Sequence, residues 1–131
     1  MIEIDVKLKR VEVTGFNRTR NVVMLCLFYN DGEDSKYEMS YIPQSAESAA
    51  KDIMVSIRDH EKQTRKGDID YRDPLSGVVH VNFVDEEKTL KTLASFMTTI
   101  NDKLYYLKKS STASDHMTLV RTLQNLRVDF T

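Results

Sequence analysis

Cysteine is nearly absent from this chain, and the one it has, Cys26, lies inside the apolar run Val22-Val23-Met24-Leu25-Cys26-Leu27-Phe28-Tyr29. No intrachain disulfide is possible, and no electropositive neighbour stands out to stabilise a thiolate, so a buried and inert thiol is expected. Glycine is almost as scarce. Four in 131 residues leave little room for a phosphate-cradling loop, and nucleophile elbows, Walker loops and dinucleotide-binding glycine patterns are all absent. Long hydrophobic stretches are missing too, since that eight-residue run is the longest and a membrane helix needs about 20 apolar residues. The opening Met1-Ile2-Glu3-Ile4-Asp5 is acidic and alternating, unlike a signal or transit peptide. A soluble, cytoplasmic protein with no membrane partner is expected.

An excess of charge of either sign is also lacking. Residues 1–44 carry six Lys/Arg against seven Asp/Glu, residues 45–77 six against seven, and residues 78–131 seven against six. A protein that binds mainly by neutralising phosphates normally displays a basic stripe or arm. Nucleic acid is therefore possible but not favoured. Hydrophobic residues make up 40% and charged residues 30%, a globular composition rather than a disordered one. A chain of this length buries roughly 68% of its unfolded surface, enough for one core. No internal repeat or long linker divides it, so residues 1–131 read as a single domain.

The hydrophobic pattern then supplies the elements. Ile2, Ile4, Val6 and Leu8 alternate with charged residues, which predicts a strand with one buried face. Beyond Leu8 the apolar positions shift to Val11 and Val13, so a β-bulge near Lys9 and Arg10 is expected, or else a strand that passes from one packing layer to another. Gly15 to Arg20 supplies turn chemistry for a hairpin into the run ending at Asn30, a second strand that is apolar on both faces. Asn30-Asp31-Gly32 predicts a turn, and Tyr37, Met39 and Tyr41 lie on one face of a third strand that Pro43 ends.

Ser45 caps a helix that runs to Gly67 on Ala46, Ala49, Ala50, Ile53 and Ile57. A polar loop to Gly77 leads into a fourth strand over Val78–Val84. Asp85-Glu86-Glu87 and Lys108-Lys109 complement the two ends of a second long helix, whose stripe is Leu90, Leu93, Met97, Ile100, Leu104 and Leu107. A shorter helix through Met117, Leu119, Val120, Leu123 and Leu126 closes the chain. The expected class is α+β: an antiparallel β-meander plus a fourth strand, packed against two long helices and a short C-terminal helix, in the order β-β-β-α-β-α-α.

No motif carries obvious chemistry, and no cofactor or metal is called for. Asp68, Asp70 and Asp73 fail the EF-hand template, because Arg72 and Asp73 stand at positions five and six and Val79 at position twelve; a solvated loop is expected. His60, His80 and His116 show no metal-ligand spacing, and His60-Glu61 lacks a second histidine at position 64, which is Thr64. Two surfaces remain. The apolar excess of Leu25 and Leu27 on the second strand, with Phe96, Tyr105 and Tyr106 off the main stripe of the second helix, suggests a contact with a second copy or another protein. Lys7, Lys9, Arg10, Arg18 and Arg20 on the N-terminal hairpin, if they share a surface with Tyr37 and Tyr41, suit a single nucleic-acid strand, though Glu3, Asp5 and Glu12 lie among them. The leading expectation is a non-enzymatic binding or assembly protein, homo-oligomeric. The alternatives are a nucleic-acid accessory protein using Lys7, Arg10, Arg18 and Arg20, and a small-molecule enzyme or sensor with a pocket between the sheet and the first two helices.

Overall fold

A computed structural model describes residues 2–30, 36–64, 72 and 79–130. The expected turn at Asp31-Gly32, the end of the first helix at Gly67, and the loop with Asp68, Asp70 and Asp73 lie outside the described residues. Among those described, the order is β1 (Ile2–Val6), β2 (Leu8–Asn17), β3 (Val22–Tyr29), β4 (Lys36–Tyr41), α1 (Ala46–Thr64), β5 (Val79–Phe83), α2 (Glu86–Lys109), α3 (Ala113–Gln124) and β6 (Arg127–Asp129). The class is α+β, as the hydrophobic pattern predicts.

The phase slip has two physical sources, and both readings of it hold. The first strand ends at Val6, where β1 pairs in parallel with β5, Ile4 opposite Val81 and Val6 opposite Phe83. At Lys7 the chain leaves that two-stranded sheet for an antiparallel one of order β4-β3-β2-β6. Asn30 secures the switch: its side-chain Oδ1 accepts from the Lys7 N–H at 3.0 Å and its own N–H donates to the Lys7 carbonyl at 2.7 Å. Asn30 does this from the left-handed region at φ 59°, which asparagine tolerates better than most residues. The register then slips between Leu8 and Arg10, the bulge that moves the buried face from even to odd numbers.

One face of the larger sheet closes the core. Val11 opposes Leu27, Val13 opposes Leu25, and Tyr37, Met39 and Tyr41 continue that face on β4. Helices α1 and α2 pack side by side and antiparallel, since Arg58 late in α1 pairs with Glu86 at the start of α2, while Gln44 just before α1 meets Asn101 late in α2. Their stripes, Ala49, Ala50, Ile53 and Ile57 on α1 and Leu93, Met97, Ile100, Leu104 and Leu107 on α2, join the strands in one cluster. The Ser45 hydroxyl accepts from Ser48 N at 3.3 Å, the expected cap. Thr112 caps α3 by accepting from Asp115 N at 3.1 Å, and Leu123 anchors that helix in the core.

Strand β6 goes beyond the predicted order. Arg127-Val128-Asp129 has one apolar residue and no readable period, but it pairs with Arg10 to Glu12 along the free edge of β2. Tertiary contact alone makes it a strand.

Candidate binding groove

At the hairpin end of the larger sheet, three separated segments converge. The β2–β3 hairpin brings Phe16, Arg18 and Asn21; the connection from β4 to α1 brings Pro43 and Gln44; the last turns of α2 bring Asn101, Leu104, Tyr105, Leu107 and Lys108. Together they line a groove of about 420 Å³, within the rough 300–1,000 Å³ span of small-ligand sites. Local chemistry fixes each wall. Asn17 Oδ1 accepts from Arg20 N at 3.0 Å, and Asn21 turns the chain back at φ 52°. Asn101 Nδ2 donates to the Gln44 carbonyl at 3.0 Å, tying α2 to the start of α1. The Ser110 hydroxyl donates to the Leu107 carbonyl at 2.8 Å and ends α2 beside the groove.

The charges of the groove have one sign. Among the described residues, Arg18 and Lys108 line it and no carboxylate does. Neither cation forms an ion pair with a described residue. Arg18 Nη1 lies 3.3 Å from His116 Nδ1; arginine can only donate, so this nitrogen of His116 accepts and the ring is neutral in that contact. Lys109 sits 4.4 Å above the Tyr105 ring, and Tyr105 meets Tyr106 edge to face at 5.6 Å.

A second polar cluster is buried. Tyr29 donates to Glu61 Oε1 at 2.5 Å, and His60 Nδ1 lies 3.0 Å from the same hydroxyl. The single hydroxyl proton of Tyr29 is committed to the carboxylate, so His60 Nδ1–H is the donor to Tyr29. Tyr37 stacks on His60 at 4.2 Å between ring centroids. Glu61 is only 6% exposed. It was legible in part, because it continues the stripe Ala50, Ile53, Ile57 at the next helical turn, where an apolar residue would ordinarily stand.

The residues singled out from sequence disperse. Leu25 and Leu27 on β3 and Phe96 on α2 are 1%, 0% and 6% exposed, so this chain's own core covers them and the expectation that they meet a second copy or another protein is corrected for these three. The inner face of the sheet and the α2 stripe absorb them. Tyr105 and Tyr106 stay open, at 54% and 59%.

The basic hairpin does not assemble. Lys7 and Arg10 sit near the start of β2 and Arg18 and Arg20 beyond its end, roughly 26 Å apart for eight residues of extended chain. Tyr41 is buried and Tyr37 is stacked on His60, so neither offers a ring to a base alongside these cations. Arg10 lies on the opposite face of the sheet, 4.2 Å from the centre of the Phe28 ring and 2.9 Å from Glu12. That face carries two rows set by register: Asp129, Arg10, Phe28 and Lys36, then Arg127, Glu12, Cys26 and Glu38. Opposite charges alternate and cancel across it. Cys26 lies beneath these side chains, and its thiol is held above its usual range chiefly by burial, with Glu38 and Glu12 adding to the effect and Lys36 and Arg10 opposing it.

Among the described residues, no three His, Cys, Asp or Glu side chains gather to hold a metal ion, and no helix is long and apolar enough to cross a membrane. His80 is exposed on β5. No protein-family model matches the chain, and neither characterised proteins nor solved structures give a significant match.

Proposed function

We propose that this chain is a cytoplasmic, non-enzymatic binding and assembly protein that works through protein–protein contacts at the end of α2, with a second copy of itself as the first partner. The observation that carries this reading is the pair Tyr105 and Tyr106, both more than half exposed, with Tyr105 lining the groove and Tyr106 edge to face against Tyr105. Ile42, next to Pro43 on the groove wall, adds an aliphatic side chain that is 64% exposed. Exposed aromatic side chains with an apolar neighbour supply the contact area that interfaces favour, and their two rotatable bonds keep the entropy cost of ordering them low. The opposite face of the sheet, laced with paired charges, suits solvent instead.

The test is molar mass in solution by light scattering for the wild type and for Tyr105→Asp combined with Tyr106→Asp. A dimer that becomes a folded monomer in the double variant supports the reading. A wild type that remains monomeric at high micromolar concentration overturns self-association.

A further inference from the structure

We infer that the groove between the β2–β3 hairpin and α2 is a binding site for a small organic acid, a carboxylate head on an aliphatic or aryl body. The inference goes beyond self-association; both involve Tyr105, but this one stands on the volume, lining and charge of the groove. Apolar surface comes from Phe16, Pro43, Leu104, Tyr105 and Leu107, so the body of the ligand is hydrophobic. The charged side chains at its border are Arg18 and Lys108, with no carboxylate among the described residues of the lining, so the head is an anion.

The electrostatic balance supports an anion despite one opposing term. The C-terminus of α2 presents roughly half a negative elementary charge. Lys108 and Lys109 in the last turn and Arg18 across the groove contribute three full positive charges, which outweigh it. Because the contact with His116 engages Nη1, the other guanidinium N–H groups of Arg18 remain to grip two oxygens of one head group. A volume of about 420 Å³ bounded by three chain segments fits a compact molecule better than an extended peptide.

The probe is octanoate, added to uniformly ¹⁵N-labelled full-length protein and followed by amide shifts, with octylammonium as the charge-reversed control. Octanoate should move the amides of Phe16, Asn21, Gln44, Asn101 and Leu104 in a saturable way, and octylammonium should not. Arg18→Gln and Lys108→Gln should each weaken octanoate about five- to tenfold, the scale of one solvent-exposed hydrogen bond. Both side chains are exposed, so an unchanged spectrum away from the groove shows that these variants fold. Lys62→Gln in the last turn of α1, at the end away from the groove, and the charge-neutral Tyr106→Ser, outside the lining, should leave octanoate binding in place, which separates this site from self-association. Equal shifts from both probes, shifts elsewhere, or none at millimolar octanoate overturn the inference. So does a short acidic peptide that moves these amides where octanoate fails, because the occupant is then a protein segment.

Discussion

Tyr29→Phe removes one oxygen atom from a buried position and tests whether the Tyr29–Glu61–His60 cluster is a cohesive part of the core. The ring stays and no cavity opens, so the loss is confined to the hydroxyl that donates to Glu61 Oε1 at 2.5 Å and receives His60 Nδ1 at 3.0 Å. A hydrogen bond to a charged partner contributes about 1.5–3 kcal/mol, and here the carboxylate is almost fully covered, so solvent recovers little of it. For a domain of this size, 1 kcal/mol moves Tm by about 4 °C, intermediate between the ranges for smaller and larger domains, so a fall of about 6–12 °C is expected. The assay is urea unfolding at neutral pH beside calorimetry, with an unchanged m-value required so that the midpoint shift reports stability. Tyr37→Phe is the control, since it keeps the ring stacked on His60 and its hydroxyl makes no hydrogen bond with a described residue; it should stay within about 0.5 kcal/mol. A Tyr29→Phe protein as stable as the wild type would refute the reasoning.

Two further predictions rest on buried acids. Because burial raises the Cys26 thiol, the unfolded thiol ionises first, near pH ~8.5. Stability from the neutral thiol is then intact below that pH and lost as pH rises toward the folded value. Urea midpoints of the wild type should therefore fall between about pH 8 and pH 9.5 more than those of Cys26→Ala, and a thiol reagent should label native protein far more slowly than unfolded protein; fast native labelling contradicts this. The Tyr41 hydroxyl is buried without a hydrogen-bond partner among the described residues, and burial lifts its ionisation well above the usual phenol range. Tyr41→Phe should accordingly leave stability unchanged or raise it by up to about 2 kcal/mol, and a loss greater than about 1 kcal/mol in urea unfolding would show a partner for that hydroxyl.

Much of the secondary structure was legible because local patterns carry it. Alternation at Ile2 to Leu8, the spacing Leu93, Met97, Ile100, Leu104 on α2, and the cap at Ser45 each depend on neighbours a few residues away. The slip at Lys9-Arg10 was legible as well, since a change of phase in a strand demands an extra residue or a change of layer, and the chain uses both. The candidate site was legible only in pieces. Arg18 and Tyr105 stood out for separate reasons, one as part of a basic hairpin and one as part of an apolar surface, and the fold sets both on one groove with Lys108.

By itself the sequence determined one α+β chain with balanced charge, a cysteine without a partner, and most of its helices and strands; β6 and the division of the first strand between two sheets came from tertiary structure. Tertiary structure decided which apolar residues stay outside and which cations share a surface. It turned Leu25, Leu27 and Phe96 inward while leaving Tyr105 and Tyr106 open, and it set Arg10 against Glu12 while leaving Arg18 at the groove. The physical reason is range: periodicity assigns a residue to a face, but only packing between distant segments decides whether that face meets the core, a counter-charge or solvent.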